Sequence, residues 1–438
     1  LAQGQLYLDL YRYPDAIEAL EQSLGVDNVS LTPTQASIML GQALYQSGQF
    51  ERARATLEQA LINPESGMFR RPNPLLALNS GLQALANILR QQGRIDEARR
   101  VRNVQSRHLE TPYQSAQWAL QKILDEVSAG NEKPARRALE VGTPTFRSYP
   151  QGIHESQATL ALCAAFGKVL SPWILGGVFS ALGRLLVRAD PRSWFAEVLL
   201  RGRFFSKAGM GGAAGTAYRV VLRLVHFFHA EFTGVLGAWY WEQRDALFEQ
   251  SLQTLSGSST AAAEASFVAL VRILAIGRSE HRYQGHDAVR GKMGTTGSGW
   301  QSDIHDLQAR FTRQSARFEV ASVREWLRRL ESSESVLAVL PESSRVRTWL
   351  AGPSGVRYFE SPTPGGLEAA LDGLRSNQTR LMSQQAGQIL LANVVDHLPD
   401  TVYWLPVGRM LGIDLGALRV SDRALAEDLR RFQLHLVK

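Results

Sequence analysis

A fixed spacing of small and large apolar residues between Leu40 and Pro64 constrains the fold more than any other feature of the sequence. Gly41 and Ala53 are small, as helices that cross closely require. Gly48 lies between them, where a turn needs the positive φ that glycine tolerates. The large apolar residues of the pattern fill the space between two such helices, and they are Leu40, Leu44, Phe50 and Leu57. The spacing therefore predicts a helical hairpin.

The same pattern recurs on both sides of this hairpin. Moving it back by 37 residues places Gly4 on Gly41. Moving it forward by 45 residues places Gly93 on Gly48, and a further step of 37 reaches Gly130. A single hairpin cannot bury its apolar face alone, so repeated hairpins are expected to stack on one another.

In this spacing, residues 1–142 resemble the tetratricopeptide-repeat family. The resemblance implies an α-solenoid whose concave surface binds a protein or peptide partner. An alternative is that the repeats form a rigid spacer that packs against the rest of its own chain. The repeats carry no clear set of Lys and Asn residues that would hold a C-terminal carboxylate.

Composition narrows the classes of protein that remain. The chain has 438 residues, 45% of them apolar and 20% charged, as is typical of a folded protein with more than one domain. Its single cysteine, Cys163, excludes an internal disulfide framework and a cysteine-based zinc site. The net charge of +7 comes from basic residues interleaved with acidic ones, whereas nucleic-acid-binding proteins cluster them. We therefore expect no nucleic-acid partner. The single cysteine is typical of a reducing compartment, so we also expect a cytoplasmic protein. Because the chain starts with Leu1 inside a helical pattern, we expect a piece of a longer protein.

Residues 143–331 keep a helical period and are expected to continue or cap the solenoid. One stretch within them, Val169–Gly183, has no charged residue. It is shorter than a membrane span of about 20 apolar residues, so we expect a buried helix pair and no membrane partner. A membrane-associated hairpin is the alternative, because Val220–Trp241 is also rich in apolar and aromatic residues.

Two motifs in this middle region suggest ligand binding but lack the residues that it needs. His226 and His229 lie three positions apart with Glu231 beside them, yet the zinc-protease pattern His-Glu-x-x-His is absent. The glycine-rich stretch Gly209–Gly215 has neither the preceding strand nor the following Lys-Ser/Thr of a phosphate-binding loop. No metal-ligating or cofactor-binding residue is therefore assigned, and no cofactor is expected.

The pattern changes from helical to strand-like near residue 332. Three short apolar segments separated by Pro and Gly predict strands, and they are Ser335–Leu340, Val346–Leu350 and Val356–Phe359. The second and third are expected to pair as an antiparallel meander. Two helices are predicted next, over Leu367–Arg375 and Arg380–Leu398. Asp400–Leu405 then predicts another buried strand.

This last strand leads directly into a Leu-Pro-x-Gly segment, with Ala-Leu nine residues further on. Together with the order of elements before it, the segment resembles the caspase-like CHAT family, whose members commonly carry tetratricopeptide repeats ahead of a protease-like domain. The residues that match the family pattern are Val336–Leu340, Arg347–Leu350, Val356–Tyr358, Val402–Leu405, Pro406, Gly408, Ile413, Ala417 and Leu418. Two positions depart from it, since Val407 replaces the usual Asp and Asp414 replaces a Pro.

The resemblance implies a cysteine peptidase, in which a thiolate attacks the peptide carbonyl and an imidazole transfers the proton. The family's His-Gly segment and its Cys in a small-residue turn are both absent from this chain. Cys163 lies in the helical middle and is expected to be a small buried apolar residue. His435 is not followed by glycine. No catalytic residue is therefore assigned.

The sequence thus predicts a mainly α fold in three regions. Tetratricopeptide-like repeats occupy residues 1–142, a helical region occupies 143–331, and the first part of a CHAT-like α/β domain occupies 332–438. Two functions are open. The chain is either the regulatory portion of a caspase-like peptidase, binding a protein partner through its repeats, or a non-catalytic interaction scaffold.

Overall fold

The structure is a computed structural model of the chain. It describes residues 1–9, 11–25, 33–62, 75–148, 154–166, 191–231, 236–257, 259–284, 319–342, 344–363, 367, 371, 380–391, 393–399, 401–406, 419–420, 423–424 and 430–433. Contacts divide the chain into two units. The first is built mainly from Leu1–Gln250, and the second from Ser251–Leu274 together with the described residues from 319 onward. The predicted boundaries at residues 142 and 331 stay predictions.

The first unit begins with helices that pack in consecutive pairs, as the repeat spacing predicts. The pairs are α1 (Ala2–Asp9) with α2 (Tyr13–Gly25), α3 (Pro33–Gln46) with α4 (Phe50–Leu61), α5 (Leu75–Gln91) with α6 (Ile95–Gln105), and α7 (Pro112–Ser128) with α8 (Glu132–Ser148). A shared apolar core joins the pairs from α2 to α6, and it includes Leu44, Ala53 and Leu57 of the predicted pattern. The mainly helical fold expected for this part of the chain is confirmed.

The turns within these pairs have the left-handed backbone that the repeat glycines predict. Gly48, Gly93 and Gly130 have φ angles of +83°, +74° and +72°. The equivalent residue of the first pair is Tyr11, which adopts φ +57° although it is not glycine. That conformation costs an L-residue roughly 1–2 kcal/mol. The turn geometry is therefore imposed by the packing of the helices and is not only a preference of the glycine.

The two helices of a pair cross closely because glycine lies at the crossing point. A Cβ added at Gly41 would lie 2.5 Å from Cγ of Leu57, and one at Gly4 would lie 2.6 Å from Cγ of Leu20. Both leucines are fully buried. The sequence therefore predicted this close approach correctly in both hairpins.

The remainder of the first unit is also helical. Its helices are α9 (His154–Phe166), α10 (Pro191–Lys207), α11 (Gly211–Glu231) and most of α12 (Gly237–Leu255). A small apolar cluster joins α9 to α10 through Leu160, Cys163, Leu200 and Phe204. The uncharged stretch Val169–Gly183 lies outside the described residues.

The second unit contains a five-stranded mixed sheet. Its elements are α13 (Thr260–Gln284, up to Leu274), α14 (Glu319–Leu327), β1 (Glu334–Pro341), β2 (Arg345–Gly352), β3 (Gly355–Pro362), α15 (Arg380–Leu391), β4 (Thr401–Pro406), the two-residue strands β5 (Arg419–Val420) and β6 (Arg423–Ala424), and β7 (Arg430–Gln433). The strand order is β3-β2-β1-β4-β7. β2 and β3 pair antiparallel, as predicted, and β1 also pairs antiparallel with β2, whereas β1, β4 and β7 run parallel.

Each face of this sheet is covered by helical residues. On one face, Leu337 and Leu350 pack with Leu390 and Leu391 of α15, and Leu371 joins the same core. Of the predicted helix over 367–375, the structure describes only residues 367 and 371. A mainly helical chain followed by a small α/β region is thus confirmed.

The opposite face of the sheet meets the first half of α13. The fully buried Trp349 of β2 donates a hydrogen bond from Nε1 to Oγ of Ser266, over 2.8 Å. Phe267 and Leu270 of the same helix are also fully buried. This helix precedes the strands by many residues, so its sequence neighbours did not indicate the sheet as its partner.

The close crossing predicts that Gly41→Ala destabilises the repeats by about 1–3 kcal/mol, because the new methyl group must displace Leu57. Denaturant unfolding followed by circular dichroism measures the change. Gly212→Ala is the matched control, since Gly212 lies in α11 with no atom within 4 Å of an added Cβ. It should be neutral or stabilising by up to about 1 kcal/mol. Equal losses in the two variants would contradict the close crossing.

The contact between α13 and the sheet predicts an energetic coupling between Trp349 and Ser266. In a double-mutant cycle with Trp349→Phe and Ser266→Ala, the coupling energy should be about 1 kcal/mol, the typical contribution of one hydrogen bond. Denaturant unfolding of the four proteins measures it. A coupling energy near zero would contradict the contact.

Candidate protein-interaction site

The structure describes several of the residues considered for chemistry, and it places them in packed helices. Cys163 is 3% exposed in α9, which leaves its thiol inaccessible to a substrate. His226 lies in α11, whereas the side chain of His229 and the whole of His435 lie outside the described residues. Within the described part of the chain, no three His, Cys, Asp or Glu side chains come together as a metal site.

One described helix is long and apolar enough to cross a membrane, judged by length and composition alone. It is the segment Thr260–Gly277 of α13, and it is not the stretch that the sequence singled out. Part of this segment carries Ser266, which accepts the hydrogen bond from Trp349. A core helix of a folded unit passes the same test of length and composition.

Among the described residues, the first helices of two successive repeats, α3 and α5, form a surface with several long-range polar contacts. Tyr45 of α3 and Arg90 of α5 occupy the same position of the repeat, as do Gln46 and Gln91. Side chains at equal positions of stacked hairpins line one continuous surface. These residues therefore form a row that a single ligand can contact.

The start of α12 lies on this row of residues. The backbone N–H of Ala238 donates to Oε1 of Gln46 at 3.0 Å, and Ala238 is buried in the apolar core of the repeats. Because Ala238 lies in the first helical turn, its N–H has no partner within α12. The ring of Trp241 covers Gly48 so closely that an added Cβ would lie 2.7 Å from its Cγ.

Glu242 follows Trp241 and enters the same surface with a side chain that is 4% exposed. The hydroxyl of Tyr45 donates to its Oε1 at 2.5 Å, and Nη2 of Arg90 lies 3.8 Å from Oε2. Burial raises the pKa of Glu242, and Arg90, Tyr45 and Gln91 counteract part of that rise. Burial also raises the pKa of Tyr45 well above its ordinary value, and the carboxylate of Glu242 raises it further.

A buried network of charged and polar groups lies behind this contact. Arg90 donates to Oε1 of Gln121 at 2.6 Å and lies 3.2 Å from Oδ1 of Asp125. Arg102 of α6 donates to Oδ2 of Asp125 at 2.7 Å and also to Asn87. The amide of Asn87 in turn donates to the Tyr45 hydroxyl at 2.9 Å. The network therefore connects four repeat helices to α12.

The charges of this network are balanced, since Arg90 and Arg102 face Asp125 and Glu242. Burial lowers the pKa of Arg102, and Asp125 opposes the shift. Removing one member of a buried pair leaves the other without compensation and costs several kcal/mol. Each of the two buried arginines therefore needs a carboxylate facing it, which favours close packing of the helices that carry these four residues.

The sequence did not reveal this site. Arg90, Arg102 and Asp125 stand in amphipathic helices, where charged residues usually face solvent. The one available signal was the equal repeat position of Tyr45 and Arg90, two polar residues in the first helices of successive repeats. Nothing in the sequence linked them to Glu242, which follows Arg90 by more than a hundred residues.

Comparison with known protein families gives a match that includes helix α3 of this surface. Residues 1–67 match the family described as tetratricopeptide repeat. The match includes Tyr45, Gln46 and Gly48, and it supports a protein-interaction role for this part of the chain. No curated protein gives a significant match to the sequence.

The buried pairing predicts that Asp125→Asn lowers the free energy of unfolding of the repeats by about 3–5 kcal/mol, because two buried guanidinium groups lose their shared carboxylate. Denaturant unfolding followed by circular dichroism measures the loss. Asp96→Asn is the matched control, since Asp96 is 86% exposed and pairs with Arg99 at the surface. It should change stability by less than about 0.5 kcal/mol. An Asp125→Asn protein as stable as the control would contradict the network.

Proposed function

We propose that the chain is the regulatory, partner-binding portion of a caspase-like CHAT cysteine peptidase. The observation that carries the proposal is the position of β4. This strand lies parallel to β1, with Val402 beside Ser335 and Leu405 beside Ala338, and it leads directly into the segment Pro406–Gly408. The meander before it and the repeats ahead of both follow the order of elements in that family.

The parallel strands give such a domain a place for catalytic groups. β1, β4 and β7 are parallel, so their carboxyl ends lie at the same edge of the sheet. In open α/β sheets, functional side chains gather at that edge. A thiolate and an imidazole supplied by segments that follow later strands would meet there, where the thiolate attacks a peptide carbonyl and the imidazole protonates the leaving amine. The present chain supplies strands for this edge, and the proposal assigns it no member of the dyad.

A non-catalytic scaffold is the second candidate, and the position of α12 favours it. Glu242 and Trp241 occupy the surface that a partner would contact. A solenoid whose surface is covered by its own chain serves as a rigid support. In this case the α/β region would act in assembly and would not carry a dyad.

We propose for either function a cytoplasmic protein whose partner is a protein or peptide. The single cysteine supports a reducing compartment. The interleaving of basic and acidic residues supports a partner other than a nucleic acid. The proposal includes no membrane partner, because the face of α13 that holds Ser266 packs within the second unit.

The coding sequence after Lys438 distinguishes the two functions, and the peptidase function predicts a His-Gly segment and a later Cys there. Replacing that Cys by Ala in the parent protein should abolish cleavage of a peptide library, since the thiolate is the nucleophile. Cys163→Ser is the matched control and should cleave at the rate of the unaltered parent, because Cys163 is buried in α9. A reading frame without both residues, or cleavage that survives loss of the later Cys, would favour the scaffold.

A further inference from the structure

We propose that the start of α12 is an internal ligand of the repeats, and that the same surface binds a partner helix beginning with a similar pattern. That partner presents an aromatic residue directly followed by a carboxylate within its first two turns, as α12 does with Trp241 and Glu242. This proposal rests on the partner-binding role of the repeats and is independent of the peptidase assignment.

Three contacts define what the surface recognises. Gln46 accepts a hydrogen bond from a first-turn N–H, which only the beginning of a helix leaves without an internal partner. Gly48 provides a flat backbone on which an aromatic ring lies, because any side chain there would collide with Trp241. Tyr45 and Arg90 supply a hydroxyl donor and a positive charge for a carboxylate. The contacts follow one another along the helix at Ala238, Trp241 and Glu242, spacings that place all three on one face.

Two features of the contact make α12 replaceable. Nη2 of Arg90 lies 3.8 Å from the carboxylate of Glu242, beyond hydrogen-bond distance, while its Nη1 is engaged by Gln121 and Asp125. The carboxylate therefore accepts hydrogen bonds from the neutral side chains of Tyr45 and Gln91, with the charge of Arg90 close by but not in a direct hydrogen bond. The hydrogen bonds of Arg102 with Asn87 and Asp125 involve no residue of α12, so the carboxylate that balances Arg90 can come from α12 or from a partner helix in its place.

Tyr240, in the first turn of α12, packs its ring against Phe195 of α10, with the ring centroids 6.1 Å apart. A partner helix that takes the place of the first turns must therefore replace this contact as well. Leu247, two turns later, is fully buried. Exchange of the first turns for a partner helix therefore leaves an anchor further along α12.

A labelled peptide that copies residues 236–250 tests the proposal. Its affinity is measured by fluorescence anisotropy against the full chain, against Trp241→Ala/Glu242→Gln, and against Glu249→Gln, an exposed matched control on the same helix. The double variant should bind the peptide at least about tenfold more tightly than the native chain or the control, because the competing internal ligand is weakened. A peptide that carries the same two substitutions should lose this binding.

Two outcomes would overturn the proposal. One is a folded double variant, checked by circular dichroism, that binds the peptide no better than the native chain does. The other is equal binding of the substituted peptide. If the double variant does not fold, the single variant Glu242→Gln, which keeps the shape of the side chain, replaces it in the same comparison. Failure here leaves the sequence after Lys438 as a separate test of the peptidase function, so the two failures are distinguishable.

Discussion

The pairing of Arg102 with Asp125 is the interaction on which the arrangement of the repeats depends. Both side chains are 2% exposed, so each charge is tolerated only while the other stays in place. Arg102 lies on α6 and Asp125 on α7, which belong to successive hairpins, and Arg90 of α5 shares the same carboxylate. Apolar stacking alone would allow neighbouring hairpins to slide, whereas a buried pair fixes one relative position.

The hairpins and strands could be predicted because their signals are local. Gly41 and Leu57, which meet where two helices cross, belong to the same hairpin, and Gly48 forms its turn. The short apolar runs of β1 and β2, bounded by Pro and Gly, are visible in each segment. Tyr11 shows the limit of this reasoning, since the turn that it occupies keeps its left-handed backbone without the glycine. Trp349 and Ser266 show another limit. The amphipathic pattern of α13 indicates an apolar face but not which surface covers it.

The candidate site could not be predicted because its members are far apart in the sequence. The repeat spacing left two interpretations open, a peptide-binding surface and a surface packed against the rest of the chain. The contacts of Glu242 with Tyr45 and Arg90 show the second of these at the surface where we propose the first. A surface built to hold a carboxylate and an aromatic ring can hold them from its own chain. A charged residue in a predicted helix can face solvent or a buried group of opposite charge. The sequence does not distinguish these two cases when the opposite charge lies far away along the chain.

An external helix that binds this surface must compete with α12, which is present at a higher effective concentration. Because α12 is part of the same chain, it is present at an effective concentration of order millimolar, whereas a cellular partner is commonly far more dilute. A partner that copied only the contacts of Ala238, Trp241 and Glu242 would therefore seldom displace it. Reversing an occupancy from 1:99 to 99:1 requires a preference of about 10⁴-fold. A partner that regulates this chain must add contacts beyond this surface, and the successive hairpins offer them along the same row of repeat positions.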